Sequence, residues 1–347
     1  DGLGAFSRSM LSAAGALLGY LEATQVVNMP RLLPLIEVND ASYMEIDPAT
    51  RRSLELSRTL TGERRGSLLH AVDRTLTAAG GRLLGDRLAA PLFDVGAIRA
   101  RLDLVSWFIA ETDCCEAVRS QLRIYPDSER AMSRLSLGRG GPRDLAAIAN
   151  GLVSASHIVG YITDAANNRD SSLATPLSLP ACLDTILLPL SLVEEVAPAL
   201  GDELPLLARD GGFIRQGYDL VLDDLRGLRD EGRRLIALLQ ARYADDTGIQ
   251  SLKIKHNNVL GYHIEVRSMH AQKLMNQEVF IHRQTTAQAV RFTTTELAEM
   301  ERNMASAADR ALALELEIFA HLRSAVLAMA QQLGESARSL AEIDVAT

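Results

Sequence analysis

Of the 36 basic side chains in this 347-residue chain only three are lysines, and Lys253, Lys255 and Lys273 all fall in one stretch. From Gln250 to Phe292 they join Arg267, Arg283 and Arg291 against Glu265 and Glu278, a local charge of +4. The whole chain carries −8, so the remainder carries −12. That balance excludes a uniformly basic nucleic-acid binder, but the local reversal is a footprint suited to a polyanion. Asn257, Asn258, Gln284, Thr285 and Gln288 lie among the cations and can donate neutral hydrogen bonds. His256 and His282 add charge only when protonated, their reference pKa being roughly 6.5.

Other chemistries find little support. Cys114, Cys115 and Cys182 form no C-x-x-C pair and read as reduced thiols, with no zinc site. His256, His263 and His270 recur every seven residues, a spacing that does not converge on one metal across a strand-turn-strand segment. Arg51, Arg52, Glu55, Asp73 and Arg74 suit salt bridges or helix caps better than catalysis, because no nucleophile stands beside a base. None of the lysines follows a glycine, so the Gly-Lys-Ser/Thr loop that cradles nucleotide phosphates is missing.

The elements that must position the basic stretch are mostly helices. The composition is 47% apolar and only 4% aromatic, rich in Leu and Ala, which favours helix over strand. No run of about 18 uncharged apolar residues suggests a membrane span, and Asp1–Tyr20 lacks the pattern of a signal peptide. The chain begins without Met, which suggests an excised fragment. Three- and four-residue spacing predicts helices over Arg51–Leu60, Thr75–Leu88, Val95–Ala110 and Ser128–Leu137, with loops at Gly138–Pro142 and Asp164–Pro180. Two longer segments look like arms. Gly217–Gly248 has no proline and carries a stripe of Val221, Leu225, Leu228, Gly232, Leu235 and Leu239 that suits helix packing. Glu296–Leu333 has neither Gly nor Pro, with Thr293 and Glu296 as a capping box and Gly334 to end it. Between them the period shortens. Ile249–Lys255, Val259–Val266 and Glu278–Arg283 read as strands, with His256-Asn257-Asn258 as a turn. The fold class is therefore mainly α, a multi-helix core with two long helices and a small inserted α/β element holding a short antiparallel sheet.

Several motifs in order resemble the MutS mismatch repair family. Met44-Glu45-Ile46-Asp47-Pro48-Ala49-Thr50-Arg51-Arg52-Ser53-Leu54-Glu55-Leu56 is similar to the family pattern that opens its core domain. Gly66-Ser67-Leu68-Leu69, Asp73-Arg74-Thr75, Gly81-Arg82-Leu83-Leu84, Pro142-Arg143-Asp144-Leu145 and Arg209-Asp210-Gly211-Gly212 follow at matching spacing. Leu252-Lys253, Asn257, Gly261-Tyr262 and Arg283-Gln284-Thr285 resemble its DNA clamp. The resemblance implies a connector junction and first core helix over 1–36, a helical core and lever over 37–218, a clamp over 219–292, and a returning lever and core over 293–347.

It further implies a DNA-repair role without catalysis in this chain. The clamp would grip the backbone of double-stranded DNA through Lys253, Lys255, His256, Asn257, Asn258, His282, Arg283, Gln284, Thr285, Gln288 and Arg291, with Arg267 and Lys273 less central. About four neutralised phosphates would give a log–log salt slope near about −4. No phenylalanine has Glu two residues on, so the family's mismatch wedge is not in this chain. The resemblance places ATP and Mg²⁺ in another domain of a longer parent, near whose start Asp344 lies, and none in this chain. It implies a homodimeric parent, a MutL-type partner, no membrane, and a cytoplasmic, nucleoid-associated location. Ala287 and Asn258 stand where many relatives carry basic residues, which keeps open a MutS-like scaffold deficient in DNA binding. A nuclease ranks last, since the basic stretch offers only Glu265 and Glu278 as carboxylates for a metal.

The missing phosphate cradle carries a direct expectation. Calorimetry of this chain with Mg²⁺–ATP at micromolar concentrations should show no saturable heat.

Overall fold

The computed structural model describes residues 6–24, 35, 43–168, 174–187, 189–257 and 259–347, with the side chain of residue 229 left aside. Of the junction expected over 1–36, only 6–24 and 35 are thus among the described residues. The chain divides into two compact units, Asp1–Leu207 with Phe319–Thr347, and Ala208–Ile318. The architecture is mainly α with one small antiparallel sheet, as the sequence implies.

The first unit holds α1 (Arg8–Thr24), α2 (Pro48–Ser53), α3 (Leu68–Val72), α4 (Ala78–Ala89), α5 (Val95–Ala110), α6 (Thr112–Ile124), α7 (Ser128–Ser136), α8 (Pro142–Ala166), α9 (Leu179–Leu187) and α10 (Ser191–Val196). Helix α8 starts with Pro at its first position, and the Asp144 carboxylate accepts from Gly141 N at 2.9 Å and from Arg134 Nε at 2.9 Å. By length and composition α8 could cross a membrane, yet Leu145, Ile148, Leu152, Ala155, Ile158, Val159 and Ile162 are buried at helical spacing. Its apolar face lies in the core beside Trp107, Phe108, Val118 and Leu122.

The second unit opens with α11 (Leu220–Thr247), capped by Asp219 accepting from Leu222 N at 2.9 Å and closed by Gly248 at φ +65°. There follow β1 (Lys253–Asn257), β2 (Gly261–Arg267), α12 (Ala271–Met275), β3 (Ile281–Thr285), β4 (Ala289–Thr293) and α13 (Thr295–Ala328), then α14 (Ala330–Ala346) in the first unit. The strands pair antiparallel in the order β1-β2-β4-β3. Ile264 faces Phe292 and Val266 faces Val290 across β2 and β4. These four are buried in one cluster with Ile236, Leu239 and Tyr243 of α11 and Leu297 and Met304 of α13.

Several sequence expectations need correction. The helix expected over Arg51–Leu60 begins upstream and ends at Ser53. Asp47 caps it, accepting from Ala49 N and Thr50 N, and Glu55 turns left-handed at φ +49° while its carboxylate accepts from Leu60 N at 2.6 Å. The buried stripe of α11 is Leu222, Leu225, Gly232, Ile236, Leu239 and Tyr243, whereas Val221, Leu228 and Leu235 are exposed. The cap of α13 is Thr294, whose hydroxyl accepts from Leu297 N at 3.1 Å, while Glu296 pairs with Arg242. Gly334 lies inside α14, with open space where a Cβ would point, and the interruption falls at Met329. Residues 249–252 form a turn before β1, Asp164–Ala166 belongs to α8, and β4 was not anticipated.

Helix α14 is fixed by a buried carboxylate. Asp344 accepts from Leu76 N and Thr77 N, both at 2.8 Å, and from the Thr77 hydroxyl at 2.6 Å. Thr77 in turn caps α4 by accepting from Gly80 N at 2.9 Å. A Cβ on Gly80 would stand 2.1 Å from the Asp344 carboxylate. Asp344→Ala strands buried donors and should cost about 2–4 kcal/mol in urea unfolding. Gly80→Ala should destabilise the same joint, and the double substitution should cost less than the sum of the two.

Candidate nucleic-acid interface

Side chains alternate across a strand, so one face of the sheet is committed to the apolar cluster and the other is free for polar groups. The register sets a row of side chains across all four strands on that outward face. Lys253 of β1 pairs with Glu265 of β2, Glu265 with Arg291 of β4, and Arg291 with Gln284 of β3. Lys255, two residues along β1, joins the row diagonally: its Nζ donates to Glu265 Oε1 at 2.6 Å. Arg291 Nε donates to Glu265 Oε2 at 3.2 Å, and its Nη1 donates to Gln284 Oε1 at 2.8 Å.

The positively charged neighbours have an electrostatic consequence. Hydrogen bonding from Lys255 first, and from Arg291 despite some desolvation, holds the Glu265 carboxyl below the usual carboxylate range. A depressed folded-state pKa means that this interaction stabilises the unit above the ordinary carboxylate range. That contribution is lost as pH falls through the folded value. At neutral pH Glu265 is a full negative charge set among three cations.

The residues expected to touch DNA divide between the two faces. Lys253, Lys255, Gln284 and Arg291 are brought together on the outward face. Arg283 is the extra residue of a β-bulge between His282 and Gln284 and is exposed. Among the described residues, Lys253 and Arg283 take part in no ion pair. Asn257 ends β1, and its side-chain oxygen accepts from Val259 N at 2.9 Å and Leu260 N at 2.7 Å, closing the β1–β2 turn. Gln288 is exposed in the turn between β3 and β4. Asn258 lies outside the described residues.

Three expected contacts, His256, His282 and Thr285, are not on the outward face. His256 shares the register of Tyr262, with the two rings 4.9 Å apart, and so points to the side that Ile254 and Ile264 occupy. His282 stands edge-on to Phe292 at 5.9 Å and binds the Thr285 hydroxyl at 2.9 Å along the exposed margin of β3. His263 lies on the outward side opposite Lys255 but is buried, its Nδ1 donating to Gly261 O at 3.0 Å, while His270 lies in the turn after β2. His256 and His263 therefore face opposite sides of the sheet. Glu265, in the sequence an opposing charge, stands within the cationic row. The alternation Ile264-Glu265-Val266 marks it as outward-facing, but nothing in the sequence shows which cations flank it.

The cysteines stand apart from this site. Burial pushes the Cys114 thiol up to about 12, with Cys115 and Glu111 adding to the shift. A thiol held that high is a poor nucleophile at neutral pH.

Comparison with known proteins gives a consistent family. The profile of MutS domain III matches residues 49–347. The chain is 49% identical to the DNA mismatch repair protein MutS of Rhodopseudomonas palustris (strain BisB5), 50% to that of Azorhizobium caulinodans and 47% to that of Nitrobacter winogradskyi. Each match covers 100% of this chain but only 37%, 37% and 39% of the relative. The chain thus spans less than two fifths of their length.

The two faces should respond differently to substitution. Phe292→Ala empties a fully buried position under the sheet and should cost about 3–5 kcal/mol. Arg291→Gln on the outward face should cost at most about 1 kcal/mol, because Lys255 still answers Glu265. Urea melts of the two variants check the assignment of faces.

Proposed function

Since the chain belongs to the MutS family, we propose that it is the central part of a DNA mismatch repair protein and that its sheet grips the backbone of duplex DNA. The observation that carries this reading is the cross-strand row Lys253–Glu265–Arg291–Gln284 with Lys255 beside it, a flat polar face bearing three cations. Such a face suits phosphates. It has no helix to enter a groove and no bidentate pair aimed at base edges, so its contacts are blind to sequence. A protein that scans duplexes needs a grip of this kind.

The domain limits follow the same reading, with core and lever over 37–218, clamp over 219–292 and returning lever and core over 293–347. Helices α11 and α13, of 28 and 34 residues, extend roughly 42 and 51 Å at about 1.5 Å per residue. They would carry a displacement at the sheet toward an ATPase domain that lies outside this chain. ATP and Mg²⁺ do not fit the residues present, because no lysine here follows a glycine. Mismatch reading, homodimer formation, a MutL-type partner and a cytoplasmic, nucleoid-associated location are proposed for the longer protein.

One observation favours a second reading, a scaffold deficient in DNA binding. Glu265 already engages two of the cations, and Ala287 and Asn258 bring none.

A fluorescence anisotropy titration at several salt concentrations separates the two. The DNA-gripping reading expects matched and mismatched duplexes to bind alike, at roughly 10⁻⁴–10⁻⁶ M near physiological salt, with a log–log slope between about −2 and −4. Changing both Lys253→Glu and Lys255→Glu should weaken binding to both duplexes equally and flatten the slope. A preference for the mismatch, or a slope untouched by the double change, would count against it. No binding at any salt concentration would favour the scaffold.

A further inference from the structure

Glu265 stands at the centre of the outward face. Lys253 is its ladder partner on one side, Arg291 its ladder partner on the other, and Lys255 reaches it along the diagonal. Each carboxylate oxygen takes one cation: Oε1 lies 2.6 Å from Lys255 Nζ, and Oε2 lies 3.2 Å from Arg291 Nε. The Glu265 side chain is only 18% exposed, while that of Lys255 is 51% exposed. A backbone phosphate presents the same pattern, two oxygens sharing one negative charge.

We infer that Glu265 is a built-in phosphate mimic, occupying the place between Lys255 and Arg291 that a DNA phosphate would take. This rests on the DNA-gripping reading. The carboxylate pre-positions both cations and cancels one of their two charges. A phosphate arriving at the pair meets one net positive charge and a like-charged group already seated. First contact therefore falls to Lys253 and Arg283, which no carboxylate among the described residues engages. The result is a weak grip that a duplex can slide through, set by one side chain rather than by a shortage of cations. Proton release is not the control, since the carboxyl is charged throughout the neutral range.

The test compares the full 347-residue chain with Glu265→Gln and, independently, Glu265→Thr, a neutral residue that suits a strand. Each is titrated with a matched duplex across a salt series after a thermal melt confirms folding. Lys253→Glu is measured alongside. If the mimic operates, the native slope is about −3, and both neutral variants steepen it toward about −4, as the freed charge neutralises one further phosphate. They also bind roughly tenfold more tightly at low salt. Neutral variants that bind no better, or worse, while Lys253→Glu still weakens the native grip, overturn the mimic and leave the grip standing. Absence of binding by the native chain and every variant removes the grip itself, and the mimic with it.

Discussion

A carboxylate sealed from water is tolerated only when its lone pairs are answered, and Asp344 meets that condition with three donors from residues 76 and 77. The first unit is assembled from two stretches separated by the whole of Ala208–Ile318, and this joint ties one to the other. Thr77 serves both partners, donating its hydroxyl proton to Asp344 and accepting from Gly80 N, so the start of α4 and the end of α14 are set by one group. Gly80 leaves no room for a side chain there. With α14 held this way, Leu340 and Ile343 enter the cluster of Trp107, Phe108 and Ile158, and the core closes on the last turn of the chain. Apolar area drives that closure. The carboxylate chooses its register.

The second unit solves the same problem with different chemistry. Glu315 is buried, accepting from Gly212 N and Arg226 Nη2, both at 2.6 Å, and so joins α13 to α11 and to the preceding loop. Gly211 and Gly212 have φ of +67° and +78°, backbone that a Cβ would strain. Farther along, Gly232 lets Met304 approach α11, where a Cβ would meet the Met304 side chain at 2.4 Å. Near the sheet the Tyr243 hydroxyl and the Thr294 hydroxyl lie 2.9 Å apart. An ion pair, a close approach and a hydrogen bond pin the two helices at three separate levels. Sliding one past the other breaks all three.

Much of this was legible in the sequence wherever a start signal, a period and a stop signal agreed. Val95–Ala110 is a helix over the predicted span, and Gly248 closes α11 as its left-handed backbone allows. Elsewhere tertiary contacts decided. Three threonines stand in succession from Thr293, and the Tyr243 hydroxyl beside Thr294 accompanies the choice of cap. The apolar pattern of α11 admits more than one phase; Leu222 and Ile236 are buried in place of Val221 and Leu235, and Ile236 shares its cluster with Leu297 and Met304 of α13. Strand β4 alternates legibly at Val290 and Phe292, yet it is short and follows a polar run. The fold class and the cationic stretch could be read from composition and spacing. Which of those cations share a face could not, because cross-strand neighbours exist only once the register is fixed.

Charge outside the sheet shapes the site as much as charge within it. At physiological ionic strength interactions fade over roughly 8 Å, so the +4 of Gln250–Phe292 is felt locally despite a chain total of −8. Helix α11, which packs beneath the sheet, exposes Asp224, Glu231, Asp245 and Asp246 together with Arg233, Arg234 and Arg242. On the proposed reading, a duplex drawn to Lys253 and Arg283 would meet charges of both signs if it leaned toward the helix. On that reading the duplex would settle on the outward face, where three cations stand to one carboxylate, with few phosphates in contact. Within that proposal Glu265 would set how much of the positive charge the duplex can use.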